Sequence, residues 1–311
     1  MRKYVSTLDM DKDEWLRYRK HGITGTDAGA ITGMNPYVSA FKIYQDKVSN
    51  DIEDIDNESM RQGRDLEAYV AQRFCEQTGK KVRKANAMFQ NEEYPFMLGN
   101  FDRLVVGESA GLECKTASAY SADKWKDGKI PLHYQMQVQH YLAVSGFDRW
   151  YVAALILGRE FIVHCIERDE ELIRNLIIIE KRFWEEHVLA KIPPEPDGSS
   201  SYTEMLAKLY PFAREETIRL SGLHEELERR EEINVLINKL EKERNIIDQK
   251  VKMQMKDSVY ATTGDYNVSW KPSLQQRFDS ARLKEEKPEI YRQYLKSTNS
   301  RRFMVKHCPA A

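Results

Sequence analysis

Two acidic residues and a lysine carry the most specific chemical signal in this chain. Asp102 closes the stretch Gly99-Asn100-Phe101, and Glu113 and Lys115 follow eleven and thirteen residues later, inside Leu112-Glu113-Cys114-Lys115-Thr116. In a β-strand successive side chains alternate between faces, so Glu113 and Lys115 share one face while Leu112, Cys114 and Thr116 share the other. If the two stretches pair, Asp102 meets Glu113 across the sheet. Two carboxylates brought together repel unless positive charge sits between them, and a hard divalent cation with oxygen ligands is the natural resident. A lysine beside it orients an attacking water or holds a phosphate. That is the layout of a metal-dependent nuclease site. The same spacing also arises by chance in a chain that is 31% charged, where such residues are ordinary solvated groups. What surrounds the three residues decides between these readings.

The chain has 311 residues, 41% of them hydrophobic, enough for one large domain or a domain plus an appendage. A net charge of −1 excludes a global basic field that would draw the protein onto nucleic acid. Local basic clusters must serve instead: Lys80, Lys81, Arg83 and Lys84, or Lys124, Lys126 and Lys129. Each of these also reads as a solvated face. The cysteines at 75, 114, 165 and 308 form no C-x-x-C pair and no Cys/His ligand spacing. This argues against zinc and iron–sulfur clusters and for reduced thiols in a cytoplasmic protein. The first residues lack the apolar core of a secretory signal, and no apolar run is long enough to span a membrane.

The elements that must position the three residues follow from periodicity and capping. Helices are expected over 11–20, over a short Ala/Gly-rich stretch capped by Thr26 or Asp27 and ending near Gly33, from Ser39 onward, over 59–78 up to Gly79, over 132–145 and over 169–190. An acidic loop occupies 51–58. In the fourth helix Leu66, Val70 and Phe74 mark the buried stripe, and Glu67 lies on or beside that face, an unusual place for a carboxylate without a task. Strands are expected at 81–90, 96–106 and 110–116, then at RWYVAALILG and EFIVHCIER. The first of these last two is almost continuously apolar, as a central strand should be. Residues 193–201 have the composition of a linker. It separates a domain over 1–192 from an extension over 202–311. The extension holds a long charged helix at 222–257 with a ragged apolar stripe, a hairpin around Thr262–Asp265, a helix over 280–295 and a last strand near RRFMVK.

Together these pieces resemble the YqaJ-type viral recombinase family, which has the PD-(D/E)XK nuclease fold and is related to phage lambda exonuclease. Four ordered blocks carry the resemblance: G-I-T-G-T-D-A-G-A-I-T-G-M-N-P-Y at 22–37, G-R-D-L-E at 63–67, N-F-D-R through L-E-C-K-T at 100–116, and Y-Q-M-Q-V-Q-H-Y-L at 134–142. The implied fold is an α/β (α+β) restriction-endonuclease-like core, a mixed central sheet flanked by helices, with the helical and hairpin extension beyond it. The implied activity is a metal-dependent 5′-to-3′ exonuclease on double-stranded DNA that resects ends for phage-type recombination.

The resemblance also implies residue roles. Asp102 and Glu113 are metal ligands, joined by the Cys114 carbonyl. Lys115 is the catalytic lysine. Glu67 completes the metal site, directly, through water or at a second ion, and Gln137 reaches it from the following helix with Tyr141 one turn on. Arg19 and Thr26 hold the 5′-phosphate of a DNA end, with Arg17 near enough to compete; the family usually has serine where Thr26 stands. Two Mg²⁺ ions are implied, with Mn²⁺ able to substitute. The implied partners are DNA ends, a RecT-type annealing protein and further copies of the chain in a trimeric ring, in a bacterial cytoplasm reached by phage or prophage.

Plainer roles exist for several of these residues. Gln137 also reads as a capping or packing residue, Thr26 as a helix cap and Tyr141 as core. Trp125 and Tyr120 are either base-stacking groups or packing plugs, and no histidine is assigned chemistry. Two rival functions keep parts of the same picture: a structure-specific or restriction-type endonuclease, and an inactive DNA-end-binding module.

Overall fold

The computed structural model describes residues 1–52, 57–296 and 301–307. Part of the acidic loop, 53–56, and Cys308 lie outside the described residues. The chain divides into two compact units, Met1–Pro211 and Phe212–Ala311.

The first unit is built on two sheets. A five-stranded mixed sheet has the order β3 (Val82–Lys84), β6 (Arg103–Val105), β7 (Ala110–Ala117), β8 (Arg149–Ile156), β9 (Glu160–Glu167). Only β7 and β8 run parallel. The second sheet has the order β1 (Arg2–Ser6), β4 (Ala87–Gln90), β5 (Met97–Asn100), β2 (Ile23–Thr24). The single strands expected at 81–90 and 96–106 are therefore each two short strands that belong to different sheets. The first breaks at Ala85-Asn86, where Asn86 takes a positive φ of 49° that a continuous strand does not allow. The second breaks at Phe101-Asp102. Asp102 thus stands at the corner where the chain passes from one sheet to the other.

Helices cover both faces of the larger sheet. α1 (Lys12–Arg19) is capped by the Asp11 carboxylate, which accepts from the Glu14 N–H. α2 (Gly25–Ile31) begins one residue after Thr24, so Thr24, not Thr26 or Asp27, is the cap. Asp27 completes the box, its carboxylate accepting from the Thr24 N–H at 2.8 Å. α3 (Ala40–Val48) starts at the Ser39 cap, and α4 (Glu58–Thr78) stops at Gly79, whose left-handed φ of 71° suits glycine. α4 lays Val70 and Phe74 on Leu112, Tyr151 and Ala153 of β7 and β8. On the opposite face α5 (Leu132–Ser145) is buried from Met136 onward, enclosed by α2, α6 (Glu170–Arg182) and both sheets. α6 ends in a π-helical turn, Phe183–Leu189, where a helix continuous to 190 was expected. A 3₁₀ turn, Ala119–Trp125, follows β7.

Residues 193–198 are irregular, as the linker reading anticipates, but α7 (Ser200–Leu209) returns to the core. Tyr202 stacks on Phe41 at 4.2 Å. The two units consequently part between Pro211 and Phe212, later than the linker at 193–201. In the second unit α8 (His224–Met255) runs 32 residues with Leu236, Leu240 and Ile247 exposed. It is followed by the hairpin β10 (Tyr260–Thr263) and β11 (Tyr266–Ser269), then by α9 (Ser280–Glu286) and α10 (Pro288–Gln293). The single helix expected over 280–295 is split at Pro288, which cannot donate to the ladder. Residues 301–307 form no strand, contrary to the expectation for RRFMVK. Among the described residues no helix is long and apolar enough to cross a membrane.

Candidate active site

β7 enters the site with a buried half, Ala110–Glu113, and a partly open half, Cys114–Ala117. Its alternation is as expected: Leu112 and Cys114 turn to α4, whereas Glu113 and Lys115 face α5. Arg103 is registered with Leu112. The next step of that ladder sets Asp102 beside Glu113, and the Asp102 carboxylate accepts from the Cys114 N–H at 2.8 Å. The N–H and C=O of one strand residue point the same way, so the Cys114 carbonyl also leaves β7 on the Asp102 side.

The Lys115 ammonium donates to Glu113 Oε1 at 2.6 Å and to Gln137 Oε1 at 3.1 Å, and lies 4.6 Å from the centre of the Tyr134 ring. Burial pulls its pKa down, but Glu113, Tyr134 and Asp102 outweigh that and hold it above the ordinary value. It is a cation at neutral pH. Gln137 closes the arrangement: its amide nitrogen donates to Glu113 Oε1 at 2.7 Å and to the Tyr141 hydroxyl at 3.0 Å. Burial, then Glu113 and Asp102, push the Tyr141 phenol well above its usual range, so it stays protonated.

Two features show carboxylates crowded together without enough positive charge to balance them. Glu113 Oε2 is buried and makes no hydrogen bond. The Asp102 carboxyl is held well above the usual carboxylate range by burial and by the charges of Glu113 and Glu67. An orphaned carboxylate oxygen, a second carboxylate beside it and a backbone carbonyl on the same side suit a hard divalent ion.

Glu67 is held by a cation that the sequence left unassigned. Its Oε1 accepts from Arg103, whose guanidinium is 8% exposed and also donates to the Asp102 carbonyl at 2.7 Å. Among the described residues no three His, Cys, Asp or Glu side chains converge closely enough to hold an ion. The charge of Glu67 reaches Asp102. Glu67 and Asp102 line a common cleft of about 230 Å³ with Trp15, Lys84, Asn100 and Arg103.

The second anion site lies at the start of α2. Arg19 donates to the Thr26 hydroxyl at 2.8 Å and to the Thr24 hydroxyl at 3.0 Å, and its guanidinium covers the Trp15 ring at 4.5 Å. Arg19 and Thr26 are thus brought together. Arg17 is exposed and lies two residues along α1, about 200° round the helix from Arg19, so it is not part of the cluster. A Cβ on Gly25 would fall 2.4 Å from the Tyr141 ring. The missing side chain lets α2 rest on Tyr141, which connects this cluster to Gln137 and Glu113.

A buried ion pair supports the cluster from beneath. Lys47 Nζ lies 2.8 Å from Asp27 Oδ2 and donates to the Arg19 carbonyl at 2.8 Å. Burial raises the Asp27 pKa, but Lys47 and Arg19 overcome this and leave it below the ordinary value. The stability this pair contributes is present above pH about 3.8 and is lost as pH falls through the lowered pKa. Lys47→Met leaves a buried carboxylate unpaired. It is expected to cost about 3–5 kcal/mol in urea unfolding at neutral pH, and less in acid.

Arg103 and Lys47 received no role from the sequence, and Trp15 only that of an apolar anchor of its helix. Their partners lie 36, 20 and 4 residues away, and the first two separations leave no local pattern to find. Trp125 is buried among Tyr134 and its neighbours, which makes it a packing residue, whereas Tyr120 is fully exposed. Lys80 is engaged by Glu108 and Lys126 by Asp123. Cys75, Cys114 and Cys165 are unpaired.

The first unit has a mixed α/β, PD-(D/E)XK-like fold, similar to that of an alkaline exonuclease of known structure. The alkaline exonuclease LHK-Exo from Laribacter hongkongensis superposes with a TM-score of 0.50 at 19% identity, covering 64% of this chain and all of that one. LHK-Exo in complex with dAMP gives 0.51 at 20% identity with the same coverage. Residues 14–148 match the YqaJ-like viral recombinase domain. YqaJ of Bacillus subtilis (strain 168) is 39% identical over 303 residues, 96% of this chain and 95% of that protein. The chain belongs to the YqaJ-like viral recombinase family.

Proposed function

We propose that the protein is a divalent-metal-dependent exonuclease that degrades one strand of duplex DNA from its 5′ end during phage-type recombination. The observation that carries this is the buried, unpartnered Glu113 Oε2 beside Asp102, with the Lys115 ammonium fixed against the same carboxylate. Family membership and the alkaline-exonuclease fold support it.

Asp102, Glu113 and the Cys114 carbonyl would hold Mg²⁺, or Mn²⁺ in its place. When bound, such an ion lowers the pKa of a water and neutralises the phosphate. Lys115, kept protonated, offsets charge that develops on the phosphate and aligns the nucleophile; it is not a general base. Gln137 holds Lys115 and Glu113 in register, and Tyr141 holds Gln137. Glu67, paired with Arg103 through one oxygen, would help to hold a second ion directly or through water. Zinc and iron–sulfur clusters have no part in this scheme.

Arg19, with the Thr26 hydroxyl, would take the 5′-phosphate and so set direction. Arg19→Ala is expected to abolish the preference for 5′-phosphorylated over 5′-hydroxyl duplex ends, and to lower the rate on phosphorylated ends. Closed circular plasmid should remain intact. Cleavage of closed circles would favour the endonuclease alternative, and equal rates on both kinds of end would remove the phosphate clamp from the scheme. A RecT-type annealing protein and a trimeric ring belong to the same proposal. Light scattering of the purified chain tests the ring.

A further inference from the structure

A row of rings leads from Lys115 to the surface. The lysine lies over Tyr134 at 4.6 Å, and Tyr134 lies 4.0 Å from His133. His133 meets Tyr37 edge-on at 6.1 Å. Tyr37 is 68% exposed and carries the Lys124 ammonium at its edge, 3.4 Å from the hydroxyl and 5.8 Å from the ring centre. Among the described residues Lys124 has no carboxylate partner.

The row is built by the backbone. A Cβ on Gly29 would fall 2.8 Å from His133 Cβ, so only glycine lets α2 approach α5 here. The turn after α2 folds back through the Met34 and Asn35 N–H groups, both donating to the Gly29 carbonyl at 2.8 Å. The Asn35 side chain then accepts from the Tyr37 N–H at 2.9 Å. This presents the ring outward on a fixed turn. Burial, then Lys115 and Lys124, lower the His133 pKa, which leaves a neutral imidazole at pH 7.

A lone exposed tyrosine needs no explanation. A contiguous series that ends at a proposed catalytic lysine does. Exposed π faces accept bases of any sequence, and an unpaired ammonium at their edge accepts a phosphate. A duplex hides its base faces by stacking, so the matching ligand is a single strand. We propose that Tyr37, His133 and Lys124 form a stacking platform for single-stranded DNA, which seats unpaired nucleotides of the strand passing through the site at Lys115. The proposal rests on the nuclease reading for its position but not for its test.

The test is fluorescence anisotropy in EDTA with a labelled oligothymidylate about twelve nucleotides long, against an abasic deoxyribose-phosphate strand of equal length. Tyr37→Ala is expected to weaken oligothymidylate binding about 5- to 100-fold and leave abasic binding unchanged. Lys124→Ala should weaken both. Tyr37→Phe, which keeps the ring, should retain binding and shows that the turn still folds. Equal losses on both strands in Tyr37→Ala would mean that the tyrosine only places the lysine, and would overturn the platform. So would no loss, or a loss in Tyr37→Phe as large as in Tyr37→Ala. Assaying the unsubstituted protein on linear duplex with Mg²⁺ separates the outcomes. If it releases nucleotides while the strand-binding pattern fails, the platform alone is wrong.

Discussion

Lys115→Ala is expected to lower the rate of Mg²⁺-dependent phosphodiester hydrolysis by about 10²–10³-fold while leaving divalent-ion and DNA binding largely intact. The reason is the position of the ammonium. It is fixed by Glu113 and Gln137 before any substrate arrives, so its charge requires no reorganisation when negative charge grows on the phosphate. Removing it takes no oxygen donor from Asp102 or Glu113, and leaves more negative charge to attract an ion. Single-turnover kinetics with pre-bound DNA, beside isothermal titration with Mn²⁺, distinguish lost turnover from lost binding. Full activity in Lys115→Ala, or ion affinity that falls with it, contradicts the assigned role.

Asp102→Asn should do the reverse for binding. Mn²⁺ affinity is expected to fall by more than about 100-fold, since the loss of even an outer partner of a metal ligand costs 10- to 100-fold. Stability without metal should rise. The Asp102 carboxyl lies in a buried setting beside the negative charges of Glu113 and Glu67, and the orphaned Glu113 Oε2 lies close by. An amide removes one of these repelling charges. Mg²⁺ should therefore raise the melting temperature of the unsubstituted protein and leave that of Asp102→Asn nearly unchanged. Equal ion affinity in the two proteins would count heavily against Asp102 as a ligand.

Much of the frame is legible from local pattern. α4 and α5 combine regular apolar spacing with a glycine that ends each one, and both fall where expected. The alternation along β7 places Glu113 and Lys115 on one face without any knowledge of neighbours. The break of each long strand run into two was not legible, because nothing in Ala85-Asn86 or Phe101-Asp102 marks a passage between sheets. The cap at Thr24 was within reach: Thr24-Gly25-Thr26-Asp27 has the spacing of a capping box. The ties between Arg103 and Glu67 and between Lys47 and Asp27 were not, since they join residues of opposite charge far apart in the chain. Arg103 matters most among these. It ties Glu67 to the Asp102 backbone carbonyl.

The most direct measurement uses linear duplex DNA with each strand labelled separately, incubated with Mg²⁺ or with EDTA. The expected result is Mg²⁺-dependent release of nucleotides from the 5′ end of each strand, with the 3′ ends preserved and no release in EDTA. Absence of release with both Mg²⁺ and Mn²⁺, or release that persists in EDTA, would contradict a metal-dependent site at Asp102, Glu113 and Lys115.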